Sequence, residues 1–171
     1  MSDFLPAYNF MMDNEDGARA YKQVPDVGGS AISGINSHDY PTEFAAIAAI
    51  PQSERGLEVE KFYRASFWNK WFEQLTSQDL ANRVFDASVN MGPGTAVRLL
   101  QEAVNNFRKV LPSITVDGAW GPITIDVVNN CWTEKFVISF QQVRAAYYLR
   151  IVDADPSKAR YLHAWLARAS K

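Results

Sequence analysis

At Met11-Met12-Asp13-Asn14-Glu15-Asp16-Gly17 a helical pattern of apolar residues gives way to carboxylates and a glycine. Upstream of it, Phe4, Ala7, Tyr8, Met11 and Met12 recur at helical spacing, with Pro6 near the first turn. Glu15 lies one turn beyond the two methionines, so it projects near the buried face, where apolar neighbours favour a neutral carboxyl. Gly17 then lets the helix stop. A plain surface carboxylate at a helix C-terminus would meet an unfavourable dipole, which counts against the bland reading of Glu15. Residues 17–41 have another texture, with Gly17, Pro25, Gly28, Gly29, Gly34 and Pro41. We expect a small β-rich lobe there, of two or three short strands, whose glycines let backbone approach a substrate closely.

The second carboxylate, Asp26, stands beside Val27-Gly28-Gly29. Its spacing from Glu15 is too long for one helical face. It suits a carboxylate at a helix end facing another on a folded-back hairpin, which is the pairing glycoside hydrolysis needs. One carboxylic acid protonates the leaving oxygen, and the other carboxylate activates water or attacks the sugar. A turn aspartate is the competing reading of Asp26. Asp16 reads first as a solvated side chain; it could also compete as the acid or raise the pKa of Glu15 by like-charge repulsion.

Beyond residue 41 the chain reads as helices. Residues 42–50 form a short one capped by Thr42, and 57–75 carry aromatic and apolar residues in a helix broken near Ser66. Thr76 or Ser77 caps 78–91, and Gly92-Pro93-Gly94 breaks the pattern before Thr95 caps a helix running to about Val110. A loop from Pro112 to Pro122 leads to helices 122–131, 134–152 and 156–169. The fold class is therefore mostly α, about eight helices with one small β lobe. Tyr21, Tyr40, Trp68 and Asn90 are the candidate lining of a sugar cleft. Core packing is the competing role for Trp68, and tying a helix end for Asn90. Cys131 reads as a buried small apolar residue and His38 as a surface-loop histidine.

The chain has 171 residues, enough for one domain with a real core. One cysteine excludes an internal disulfide framework and a cysteine-built metal site, and two histidines are too few for most zinc constellations. We expect no metal and no cofactor. No apolar run is long enough for a transmembrane helix, and the N-terminus lacks the pattern of a signal peptide. The net charge of −2 hides an asymmetry. Residues 1–60 hold 3 Lys/Arg and 10 Asp/Glu, whereas residues 132–171 hold 7 and 3. The basic C-terminal helices are a candidate contact with an anionic envelope, set against an ordinary solvated face. We expect a monomer that binds no nucleic acid.

Several segments together resemble glycoside hydrolase family 108. Glu15-Asp16-Gly17 is similar to the family's Glu-Gly-Gly-Tyr segment, and Asp26-Val27-Gly28-Gly29-Ser30-Ala31-Ile32-Ser33-Gly34-Ile35 to its Asp-x-Gly-Gly-x-Thr-x-x-Gly-Ile segment. Phe62-Tyr63-Arg64, Phe67-Trp68, the run from Phe85 to Gly94, Asp117-Gly118-Ala119-Trp120-Gly121-Pro122-Ile123-Thr124 and Trp165-Leu166-x-Arg168 resemble its later motifs in order. The resemblance implies a lysozyme-like helical domain over residues 1–171, with a catalytic part in 1–110 and a C-terminal part, 111–171, resembling a peptidoglycan-binding segment. It implies an N-acetylmuramidase that cleaves the MurNAc-β-1,4-GlcNAc bond of peptidoglycan glycan strands. Glu15 takes the place of its general acid and Asp26 of its second acidic residue. A phage endolysin is the role expected, held in the host cytoplasm until a holin or dedicated secretion releases it to the wall. Three departures stand out. Asp16 replaces a glycine, two extra residues separate Glu15 from Asp26 with Ala18 where a tyrosine is usual, and Ala31 holds the threonine position. Alternation along a strand would put Ser33 on the face of Ala31, so Ser33 is the candidate substitute hydroxyl for holding water. A peptidoglycan-binding protein with a weakened site and a lytic transglycosylase are the alternatives.

Overall fold

The computed structural model describes residues 1–108, 113–131 and 133–171. Helix α1 (Phe4–Glu15) buries Phe4, Ala7, Tyr8, Met11 and Met12. It packs along α5 (Gln78–Met91), which buries Leu80, Ala81, Val84, Phe85 and Ala87. Each large apolar side chain removed from water there contributes roughly 1.5–3 kcal/mol. The Ser77 hydroxyl accepts the Leu80 N–H at 3.2 Å and starts α5.

Between α1 and the later helices lies a three-stranded antiparallel meander, β1 (Gln23–Asp26), β2 (Gly29–Ile32) and β3 (Ile35–Asn36). Asp26 pairs with Gly29 across the first turn, and Ile32 with Ile35 across the second. The second turn is Ser33-Gly34, both with positive φ, 47° and 83°. Two such residues make the tight hairpin turn whose twist matches the flanking strands.

Helix α2 (Pro41–Ala48) covers this lobe and meets α3 (Gly56–Phe67). Short α4 (Lys70–Glu73) begins where the Asn69 side chain accepts the Trp71 N–H at 3.0 Å. The break expected near Ser66 therefore falls at Trp68 and Asn69. Helix α6 (Pro93–Arg108) packs on α5 and on α8 (Glu134–Ala154), with α7 (Pro122–Cys131) beside it. The expected end of α6 at Val110, and Pro112 at the head of the next loop, lie outside the described residues. Helix α9 (Ala159–Ala169) closes the chain against α8 after a single 3₁₀ turn, Pro156–Lys158.

Two expected caps are displaced. Helix α2 starts at Pro41 rather than after Thr42, and α6 at Pro93 rather than after Thr95. In both, proline takes the first helical position, where its fixed φ suits the helix and its missing N–H costs nothing. Among the described residues no helix is long and apolar enough to cross a membrane.

Candidate active site

Glu15 is the last residue of α1, and its side chain is 18% exposed. Its surroundings are not the apolar wall expected from Met11 and Met12. Its Oε1 lies 2.6 Å from Nη1 of Arg168, which comes from α9. Its Oε2 lies against Gly34 in the second hairpin turn, where an added Cβ would sit only 2.6 Å away. The Tyr63 hydroxyl, from α3, completes this side by donating to the Ser33 carbonyl at 2.7 Å. Burial first, and the nearby Glu15 charge second, push the Tyr63 phenol well above its ordinary pKa, so it stays a neutral donor.

Behind Arg168 stands Asp86 of α5, fully buried. Its Oδ1 takes the Arg168 Nε at 2.9 Å and the Asn14 amide at 2.9 Å, and its Oδ2 takes Nη2 of Arg144 from α8 at 2.9 Å. Two carboxylates and two guanidiniums thus balance within one network, the condition under which buried charge is tolerated. Burial would lower the pKa of Arg168; Asp86 and Glu15 outweigh it and hold the guanidinium charged.

Asp26 sits exposed at the end of β1. Its Oδ1 accepts the Val27 N–H at 2.7 Å and its Oδ2 the Asn36 amide at 2.7 Å. Asn36, 8% exposed, also donates to the Val27 carbonyl at 3.1 Å and accepts the His38 N–H at 2.6 Å. Position 31 pairs directly with Asn36, so where a hydroxyl is missing at Ala31 an amide faces the aspartate from the next strand.

Ser33 does not follow the strand alternation that made it a partner for Asp26. Strand β2 ends at Ile32, and Ser33 is a turn residue whose hydroxyl donates to Asp16 Oδ2 at 2.7 Å. Nor is Asp16 a freely solvated side chain: it also accepts the Ala20 N–H at 3.0 Å and the Tyr21 N–H at 2.8 Å. Partial burial acts to raise its pKa, and the three hydrogen bonds outweigh that and hold it below the usual carboxylate value. Arg19, Tyr21 and Ser33, the non-glycine residues with positive φ among those described, all bond to Asp16.

The candidate sugar-contacting residues separate. Tyr21 lies in the loop gathered by Asp16, its ring against Gly56 and its carbonyl bonded to Arg55 at 2.9 Å. Asn90 accepts the Tyr148 hydroxyl and lines a cleft of about 430 Å³ with Asn14, Trp165, Arg168 and Lys171, beside the Glu15 pair. Tyr40 packs edge-on against Phe62 at 4.9 Å, and its N–H bonds to the Asn36 carbonyl at 2.9 Å. Trp68 stacks on Phe72 at 4.8 Å and meets Phe4 and Phe85 edge-on. Phe4 begins α1 and Glu15 ends it, so Trp68 sits about 16 Å along the helix from Glu15. Among the described residues, no three His, Cys, Asp or Glu side chains gather in a way that could hold a metal ion.

Arg168, Asp86, Arg144 and Asn36 were not singled out as functional from the sequence. A signal did exist for two of them. Asp86 and Arg144 fall at inward positions of helices whose other inward residues are mostly apolar and carry no charge, which marks a buried ion pair.

Residues 8–92 match the family model described as Glycosyl hydrolase 108. The chain belongs to that family. Residues 95–170 match a second model, described as Predicted Peptidoglycan domain. This glycoside hydrolase is therefore a peptidoglycan hydrolase, and peptidoglycan is its substrate. The second match begins at Thr95, on α6. Of solved structures, SagA of Brucella abortus is similar over 98% of this chain and 89% of that one, with a TM-score of 0.67 and 20% identity. That likeness is one of fold, the mostly helical lysozyme-like arrangement. No curated protein matches the chain.

Proposed function

We propose that the protein is an N-acetylmuramidase that cleaves the MurNAc-β-1,4-GlcNAc bond, with Glu15 as general acid and Asp26 as the residue that holds and activates the attacking water. One observation carries the reading. Gly34 touches Glu15 and Asn36 holds Asp26, and only Ile35 separates them. At about 3.3 Å per strand residue, the two supports lie roughly 7 Å apart, a span suited to a pair of carboxylates flanking one glycosidic bond.

In this scheme the Glu15 proton goes to the glycosidic oxygen, which departs as the GlcNAc 4-hydroxyl. Water adds to C1 of MurNAc, and Asp26 accepts its proton. Arg168 fixes the Glu15 carboxyl through Oε1. We favour a single displacement with inversion. The biological role we assign is that of an endolysin, released to the wall by a holin or a dedicated export route.

Mass spectrometry of purified peptidoglycan digested by wild type and by Glu15→Gln tests the proposal. Muropeptides ending in reducing MurNAc, absent with the variant, are the expected result. Retained wall cleavage in Glu15→Gln would overturn the acid assignment. Anhydro-MurNAc ends would mean a lytic transglycosylase. A second reading, peptidoglycan binding with weakened turnover, is favoured by one observation: Ala31 carries no hydroxyl and that of Ser33 is taken by Asp16. Binding to sacculi without soluble products from wild type would establish it.

A further inference from the structure

We infer that Asp16 is a positioning residue for glycan cleavage: through Ser33 it fastens the helix end that carries Glu15 to the hairpin that carries Asp26. The inference rests on the roles proposed above for those two carboxylates.

Asp16 follows Glu15 directly, so whatever holds its carboxylate also holds the end of α1. Its N–H still bonds to the Met12 carbonyl at 2.8 Å, which keeps its backbone part of the helix terminus. Its side chain leaves the helix and collects donors from two other segments. Ala20 and Tyr21 supply N–H groups from the loop that follows, at 3.0 and 2.8 Å, and Ser33 supplies a hydroxyl from the β2–β3 turn at 2.7 Å. The next residue in that turn, Gly34, is the one against Glu15 Oε2. The Asp16–Ser33 bond thus fixes the turn relative to the acid, and β3 leads from that turn to Asn36, which holds Asp26.

Backbone strain points to the same carboxylate. Arg19 and Tyr21 both have φ of 51°, and Ser33 has φ of 47°. Tyr21 and Ser33 bond to the Asp16 side chain, and the Arg19 N–H bonds to the Asp16 carbonyl at 2.8 Å. Non-glycine residues keep such a conformation only where their surroundings over-determine it. The departures of this chain from its family's motif then become one unit. The added length between Glu15 and Asp26 is folded onto Asp16, and Ser33 closes the link.

A misplacement on the order of 1 Å can lower a rate by about 100-fold, so loosening this link should be read in turnover and not in affinity. The test uses the full chain as wild type, Ser33→Ala, Asp16→Asn, the double variant and Glu15→Gln. Rates on soluble glycan strands are measured well below each variant's melting midpoint, which separates positioning from loss of fold. Ser33→Ala and Asp16→Asn should each lower kcat by about tenfold, a modest share of that 100-fold, with KM changed less than about twofold. The double variant should be no slower than Asp16→Asn, because both changes break the same bond.

If Asp16→Asn does not fold, Ser33→Ala decides alone. A kcat for Ser33→Ala within about twofold of wild type would overturn the positioning role, as would losses that multiply in the double variant. Glu15→Gln keeps the two levels apart. An inactive Glu15→Gln beside an unimpaired Ser33→Ala removes the role of Asp16 alone, whereas an active Glu15→Gln removes the roles of the carboxylates and this inference with them.

Discussion

Gly34 is restricted to glycine by two independent constraints. Its φ is +83°, and a Cβ there would sit 2.6 Å from Glu15 Oε2 and 2.8 Å from the Tyr63 hydroxyl. A left-handed alanine costs roughly 1–2 kcal/mol, and forcing an extra carbon into a filled site typically about 1–3 kcal/mol. Gly34→Ala should therefore lower stability by about 2–4 kcal/mol in denaturant melts and depress turnover in the molecules that remain folded. Wild-type stability in that variant would mean that the turn does not rest on Glu15. The sequence read this glycine as room for a substrate, whereas the structure fills that room with the Glu15 carboxylate. Glu15 could be singled out as a misplaced carboxylate because it follows Met11 and Met12 at the end of a periodic helix, and the structure gives it a charged partner there. Ser33 was misplaced because strand alternation holds only while a strand continues, and β2 stops one residue earlier. The partner of Glu15 was not legible, since pairing with Arg168 joins opposite ends of the chain and has no local signature.

At the scale of elements, the loop that leads into α7 was legible as a loop, and the Asp117–Thr124 turn within it has a single anchor. Gln101 of α6 is 1% exposed and turns its whole amide to this segment. Its Nε2 donates to Asp117 Oδ1 at 2.9 Å, to the Ala119 carbonyl at 3.2 Å and to Thr124 Oγ1 at 3.2 Å. Its Oε1 accepts the N–H groups of Asp117 and Gly118 at 3.1 and 2.9 Å. One side chain thus fixes the approach to α7 onto α6. Gln101→Ala would leave several of these groups without a partner, at about 1–3 kcal/mol for each that water cannot reach. We expect a loss of about 2–4 kcal/mol in thermal or urea unfolding, with kcat unchanged when measured well below the melting midpoint. A fall in kcat under those conditions would mean that the turn shapes the catalytic cleft as well. Helix starts were less legible than this loop. At Pro41 and Pro93 a good threonine cap follows a proline that already begins the helix, and cap preference alone does not rank the two.

The acidic residues 1–60 and the basic residues 132–171 look, in composition, like two surfaces suited to different partners. The fold turns part of that asymmetry inward. Arg144 and Arg168, both from the basic C-terminal segment, are 1% and 10% exposed and meet Asp86, from the middle of the chain, and Glu15 of the acidic N-terminal segment. Lys135, Arg150, Lys158, Arg160 and Lys171 remain on the surface for any contact with an anionic envelope. The same pairing ties the glycosyl hydrolase segment to the peptidoglycan segment. Residues 1–92 alone would keep Asp86 on α5 with neither arginine, and breaking a buried pair from one side costs about 3–5 kcal/mol. They would also expose the face of α5 that packs on α6. Against a typical total stability of about 5–15 kcal/mol, those losses leave little to hold the segment together. A fragment of residues 1–92 should therefore show no cooperative unfolding transition by circular dichroism, and mixing it with residues 93–171 should restore both helicity and wall cleavage. Cooperative unfolding of the first fragment by itself would mean that the ion-pair network joins two independent domains. In that case Arg168 would supply the partner of Glu15 across a domain boundary, and the fragment would bind glycan strands without cleaving them.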